Sequence, residues 1–180
     1  MAEIGSIGVE PVHSVSSNGG IELLGSGYLV HWGVRADDRW HIARDEQAVR
    51  QIVAEDGVSI ETRLRVPGGD IVHRASSTPY RNTSLVIVEI ENETPLPVAI
   101  ALFTVGAGLW RCEGNALFRN SVSVISASKP VSHCLIGASE DDMMNDLKLE
   151  ESQNDAERSK SVKGSHVATV FPLPHTSSLR

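Results

Sequence analysis

Two pairs of neighbouring aromatic and imidazole side chains, His31-Trp32 and Trp40-His41, are the residues of this sequence whose types best suit ligand chemistry. An indole ring can stack on the apolar face of a sugar, and an imidazole beside it can hydrogen-bond to a hydroxyl. A short turn separates the two pairs, and together they predict a carbohydrate-binding site. The alternative interpretation is that both indoles fill the core, because large aromatic rings bury large areas.

A few histidine and aspartate side chains are candidate metal ligands. His41 and Asp45 are four residues apart, and His73 close to Asp70 is a further candidate ligand. A metal site needs three or four ligands that converge, and no spacing in the sequence indicates that these groups do. We therefore expect no metal and, because no phosphate-binding or dinucleotide-binding loop is complete, no cofactor.

Paired carboxylates are the remaining chemistry to consider. Glu89 and Glu91 are two residues apart and share one face of a predicted strand. Glycoside hydrolysis needs two carboxyl groups on opposite sides of the bond, usually from different elements. Adjacent glutamates are more typical of a solvated edge or of partners for arginine. We expect no catalytic residue and no hydrolase activity in this chain.

Composition limits the function classes further. The 180 residues suit one domain, and 41% hydrophobic residues suit a globular core. A net charge of −7 argues against nucleic acid as the main partner. The longest apolar run, residues 96–110, is interrupted by proline and glycine and predicts no membrane span. Without a signal-type amino terminus we expect a cytoplasmic protein in which Cys112 and Cys134 are small buried hydrophobes.

Alternating strands dominate the chain and must position any site. Residues 28–34 place Tyr28, Val30, Trp32 and Val34 on one face, and residues 58–66 alternate more strictly. Residues 67–70, Pro-Gly-Gly-Asp, predict a hairpin turn, and residues 117–125 a second hairpin. The pattern predicts a single all-β domain over residues 1–180, an antiparallel β-sandwich.

Two apolar runs predict the most buried strands. Residues 85–90 and 98–105 are rich in β-branched residues and are joined by residues 92–97. We predict that this pair forms the buried centre of one sheet, because a strand that is apolar on both faces is covered on both.

Two segments interrupt the pattern. Residues 45–56 fit either a helix, by the spacing of Ala48, Val49 and Ile52, or a strand, which the neighbouring strands favour. Residues 140–164 predict an acidic surface insertion with a short helix at its start. Within it residues 154–164 predict the least ordered internal segment, and residues 166–171 predict the last strand.

The stretches 61–70 and 88–99, together with the ending at 170–176, Val-Phe-Pro-Leu-Pro-His-Thr, resemble a known group of proteins. They are similar to the amino-terminal sandwich of uncharacterised actinobacterial proteins, which themselves resemble glycosidases in which a β-sandwich precedes an α/α toroid. The resemblance implies a supersandwich-like fold. In such glycosidases the acid and base sit mainly on the toroid, so no catalytic residue is carried onto this chain.

The resemblance implies a non-catalytic accessory or interaction module. Its partner would be another protein or a missing catalytic domain, and the ending at residues 178–180 fits a truncated module of a longer protein. Carbohydrate binding or carbohydrate chemistry through Trp32 and Trp40 is the alternative.

Overall fold

The computed structural model describes residues 1–6, 8–149 and 161–180, and antiparallel strands make up most of them. In chain order the elements are β1 (Ala2–Ser6), β2 (Val9–Val15), β3 (Ile21–Leu23), β4 (Tyr28–Ala36), β5 (Arg39–Ile42), β6 (Val49–Val53), β7 (Ile60–Val66), β8 (Gly69–Tyr80), β9 (Thr83–Asn92), β10 (Val98–Glu113), β11 (Ala116–Arg119), β12 (Val122–Ser126), β13 (His133–Gly137), α1 (Glu140–Leu149), β14 (Val162–Leu173) and β15 (Ser178–Leu179).

These strands form two sheets whose inner faces share one core. The smaller sheet has five strands in the order β15-β9-β8-β7-β6. The larger sheet has ten, running β1-β2-β3-β4-β10-β11-β12, with β5 beside β4, β14 beside β10 and β13 beside β14. Side chains of both inner faces, among them Trp32, Leu64 and Phe171, belong to the same buried cluster. The predicted all-β antiparallel sandwich is confirmed.

Strand β10 is the centre of the larger sheet. One of its edges pairs with β4 and then with β11, and the other pairs with β14 from Val98 to Trp110. Ile100 and Leu102 face the core between the sheets, whereas Ala101 and Phe103 face a second cluster on the outside of the sheet. Residues 98–103 are apolar at every position because both faces of this part of β10 are covered.

Strand β9 does not pair with β10, which corrects the prediction that the two form the centre of one sheet. β9 lies in the smaller sheet between β8 and β15, and residues 93–97 cross from that sheet to the other. Asn92 fixes the crossing: its side chain is fully buried, and its Nδ2 donates to the Leu96 carbonyl at 2.8 Å. An apolar run shows that a strand is buried but carries no information about the sheet it joins.

The ambiguous segment at residues 45–56 contains a strand, β6, at the edge of the smaller sheet. Val49 pairs with Leu64 and Val53 with Ile60, so the β6 backbone is hydrogen-bonded along β7. Tertiary pairing therefore outweighs the local helix propensity of Glu46, Gln47 and Ala48. The predicted turn at residues 67–70 joins β7 to β8, and the hairpin at residues 117–125 is β11–β12.

Helix α1 covers the outer face of the larger sheet. Ser139 accepts a hydrogen bond from the Asp142 amide at 3.2 Å, as an N-cap does, and Met143 and Leu147 are buried against Phe103 and Leu135. The predicted short helix is thus present. Residues 150–160 lie outside the described residues, and so does most of the segment predicted to be least ordered. The strand predicted at residues 166–171 is longer than predicted, running as β14 from Val162 to Leu173. It is not the last strand, because β15 follows it and pairs with β9.

Candidate functional site

An apolar cleft of about 710 Å³ lies between the two sheets. Its walls come from β3, β4 and β10 of the larger sheet and from β8, β9 and β15 of the smaller, with β12 as a third side. Its apolar lining includes Ile21, Val30, Val88, Ile90, Leu102 and Ile125. These positions alternate inward along their strands, so the pleat of each sheet presents their side chains to the space between the sheets.

The cleft has a buried floor and an exposed mouth. Trp32 and His73 are at most 2% exposed and form part of the floor. Tyr80 is 48% exposed and Leu85 44%, and together with Arg180 they border the opening. A ligand would therefore pass a partly apolar rim before reaching a buried, mostly apolar interior.

His73 is the buried titratable group of this floor. It lies on the inner face of β8, opposite Ile90, and its ring stacks on Trp32 across the gap between the sheets, with centroids 5.1 Å apart and an interplanar angle of 19°. Burial lowers the pKa of His73 to about 4, so the imidazole is neutral at neutral pH. Among the described residues its Nδ1 has no hydrogen-bond partner.

Trp32 ties the floor to the loop before β3. Its Nε1 donates to the Asn18 carbonyl at 2.9 Å. Gly19, with φ of 80°, lies so close that a Cβ there would be 2.7 Å from that nitrogen. Gln51 on β6 donates to the Ser16 carbonyl of the same loop at 2.6 Å. The loop before β3 and the two sheets together bury the indole almost completely.

The residues predicted for carbohydrate binding do not share one surface. Trp32 and His41 point towards the inner face of the larger sheet, since β4 pairs Val34 with His41. His31 and Trp40 point to the opposite face, where Trp40 is half-buried against the outer cluster. The two indoles therefore cannot form one platform, and carbohydrate binding through Trp40 stays a prediction.

The two predicted histidines have separate local environments. His41 is buried, and its Nδ1 lies 3.0 Å from Glu46 Oε1. His31 is half-buried; burial and the nearby Arg44 lower its pKa, and Asp45 opposes them. Within the described residues, no group of three or more His, Cys, Asp and Glu side chains could hold a metal ion.

The outer face of the smaller sheet carries a network of ion pairs. Glu61, only 7% exposed, accepts from Arg63 Nε at 2.6 Å and from Arg74 Nε at 2.9 Å. Arg74 also bonds to Glu91 at 2.9 Å, which bears out the interpretation of Glu91 as an arginine partner. Burial alone would raise the pKa of Glu61, but the hydrogen bonds from both arginines outweigh it, and the net direction is downward.

Replacing Glu61 tests this network. We expect Glu61→Gln to lower the free energy of unfolding by about 1–3 kcal/mol, because it leaves two guanidinium groups without their buried counter-charge. Glu91→Gln is the matched control: its side chain is 41% exposed and pairs with Arg74 at the edge of the network, so we expect a loss below about 1 kcal/mol. Urea denaturation gives both values, and equal losses would contradict the central position of Glu61.

Sequence reasoning placed His73 beside Asp70 as a metal ligand and missed its place in the cleft. The two residues are three apart on β8, so they point to opposite faces: Asp70 bonds to Arg65 outside, and His73 faces the core. The alternation of side chains along the strand would have shown that His73 faces the core. It lies between Ile71 and Ala75 in a row of inward-facing positions. A histidine in that row is a polar residue at a core position.

Comparisons with protein families, with characterised proteins and with solved structures gave no match for this chain. Within the part of the chain that the structure describes, no helix has the length and apolar character needed to cross a bilayer.

Proposed function

We propose that this domain is a non-catalytic accessory or interaction module that binds an apolar group in the cleft between its sheets. The observation that carries the proposal is the cleft of about 710 Å³. Protein interiors are close-packed and rarely leave large empty volumes. Small-molecule sites are concave, mostly apolar and roughly 300–1,000 Å³ in volume, with a few polar groups.

The state of the carboxylates supports a non-catalytic role. A glycosidase acid needs a raised pKa so that it holds its proton at neutral pH. Hydrogen bonds from Ser59 and from backbone amides hold the pKa of Asp56 below its usual range, and the pKa of Glu61 is also lowered. Asp56 is ionised and held by hydrogen bonds, and Glu61 is ionised and paired with arginines, which suits a structural role better than proton transfer.

The resemblance to the amino-terminal sandwich of glycosidase-like proteins supports an accessory role. In that arrangement a sandwich accompanies a catalytic domain, and chemistry is left to the partner. A module of this kind would contribute a bound group or an apolar contact to a second domain or a partner protein.

An environment-sensitive apolar dye, 1-N-phenylnaphthylamine, tests the proposal. We expect saturable binding to the protein with enhanced fluorescence, and we expect Ile125→Trp to weaken it at least about tenfold, because the added rings occupy the cleft. Val122→Trp is the matched control, since Val122 lies on the same strand, is 64% exposed and does not line the cleft. Absence of saturable binding, or equal weakening by both variants, would refute the proposal.

A further inference from the structure

The lining of the cleft is mostly apolar. Its few polar groups lie mostly at the mouth or on the floor. Ser126 and Ser128 at the mouth are exposed and already bonded: the Ser126 hydroxyl lies 3.2 Å from that of Ser123, and the Ser128 hydroxyl accepts from the Arg180 amide at 3.0 Å. On the floor, the Trp32 Nε1 is already bonded to a carbonyl. Two histidines that line the cleft, His31 and His73, each have an Nδ1 without a hydrogen-bond partner among the described residues. His31 extends from the face of β4 that is turned away from the core, whereas His73 faces the core and forms part of the floor.

An unpartnered nitrogen at a 2% exposed residue costs stability, because its lone pair or proton has left water without finding a substitute. Native proteins rarely keep such a group without a reason, and an unoccupied ligand position is one such reason. Since burial keeps the imidazole neutral, it can offer one donor and one acceptor and no charge. A hydroxyl is the complementary group, because it can either donate to or accept from that one nitrogen, whichever tautomer the imidazole adopts.

Resting on the proposed function of the cleft, we infer that the ligand is a small amphiphile whose single hydroxyl hydrogen-bonds to His73 at the floor while its apolar body fills the space towards Tyr80 and Leu85. The stack of His73 on Trp32 holds the imidazole plane in place, so the position of the hydroxyl is fixed by the fold. Specificity follows from this one contact, and the apolar walls supply affinity.

A pair of ligands that differ only in the hydroxyl tests the inference: 4-hexylphenol and hexylbenzene, each competing with the dye. In the unmodified protein both displace the dye, and the phenol binds more tightly. In His73→Phe, which keeps an aromatic ring against Trp32, we expect the phenol to bind about five- to tenfold more weakly, with hexylbenzene changed less than about twofold. Equal behaviour of the two ligands in both proteins would overturn the role of His73 and leave the proposed function standing. Failure of the dye and both ligands to bind the unmodified protein would overturn the proposed function as well.

A measurement on the unmodified protein keeps the test decisive if His73→Phe does not fold. The ring nitrogens of His73, observed by nitrogen-15 magnetic resonance, should shift on addition of 4-hexylphenol and not on addition of hexylbenzene. Shifts of the same size with both ligands would contradict a hydrogen bond to the hydroxyl.

Discussion

Replacement of Trp32 by alanine is expected to destabilise the domain by about 3–5 kcal/mol, a large share of the stability of an ordinary domain. The indole is 1% exposed, packs in the main core and stacks on His73. The substitution also leaves the Asn18 carbonyl without its donor. Urea denaturation followed by far-ultraviolet circular dichroism gives the difference in the free energy of unfolding.

Trp40→Ala is the matched control for that experiment. Trp40 is half-buried and packs on the outer cluster near α1, so its loss removes less buried area, and we expect about 1–2 kcal/mol. A Trp32→Phe variant, which keeps the stack and loses the indole donor, should fall between the two. Equal losses for Trp32→Ala and Trp40→Ala would contradict the different burial of the two rings.

Acid is expected to destabilise the domain by about 3 kcal/mol through His73 alone. An unfolded histidine has a pKa of about 6.5, whereas the pKa of folded His73 is about 4. Below pH 6.5 the unfolded chain takes up a proton that the folded chain refuses, so stability is complete above that pH and falls as the pH drops towards 4. Urea denaturation at a series of pH values measures the slope.

His73→Phe should flatten this slope without abolishing it. Burial also lowers the pKa of His13 and His31, so these two residues contribute in the same direction. Asp56 and Glu61 have lowered pKa values and act at more acidic pH, where folded carboxylates are protonated. An unchanged slope between about pH 6.5 and pH 4.5 in His73→Phe would show that His73 is not the group responsible.

Alternation in the sequence was enough to predict which side chains of β4 and β7 face the core, because the period of a strand is fixed by its pleat. Tyr28, Val30, Trp32 and Val34 do share a face, and Glu61, Arg63 and Arg65 do point outward. The turn at residues 67–70 was also predictable, since Gly68 adopts a φ of 93° that its residue type favours.

Pairing between distant strands was not predictable from local patterns. The separation of β9 and β10 into different sheets depends on the buried bonds of Asn92 and on the partners β8 and β14, which no local feature specifies. The cleft was missed for the same reason, because it forms where β9 and β12 face β4 across the sandwich. His73 could be identified as a buried polar residue, but its contact with Trp32 joins residues 41 positions apart (73 − 32).

The position of β14 beside β10 has a consequence for how the chain reaches its native state. Val98 pairs with Leu173, which is 75 residues further on (173 − 98), and β13 in turn pairs with β14. Closing so long a loop costs conformational entropy before the strand pairing can stabilise the fold. Topologies dominated by such long-range contacts fold slowly. On a ribosome that works from the amino terminus, the apolar β10 is made long before its partner and waits with one edge unpaired. During that interval the unpaired edge of β10 can pair with another chain, so we expect aggregation to be reduced by a chaperone that shields residues 98–110.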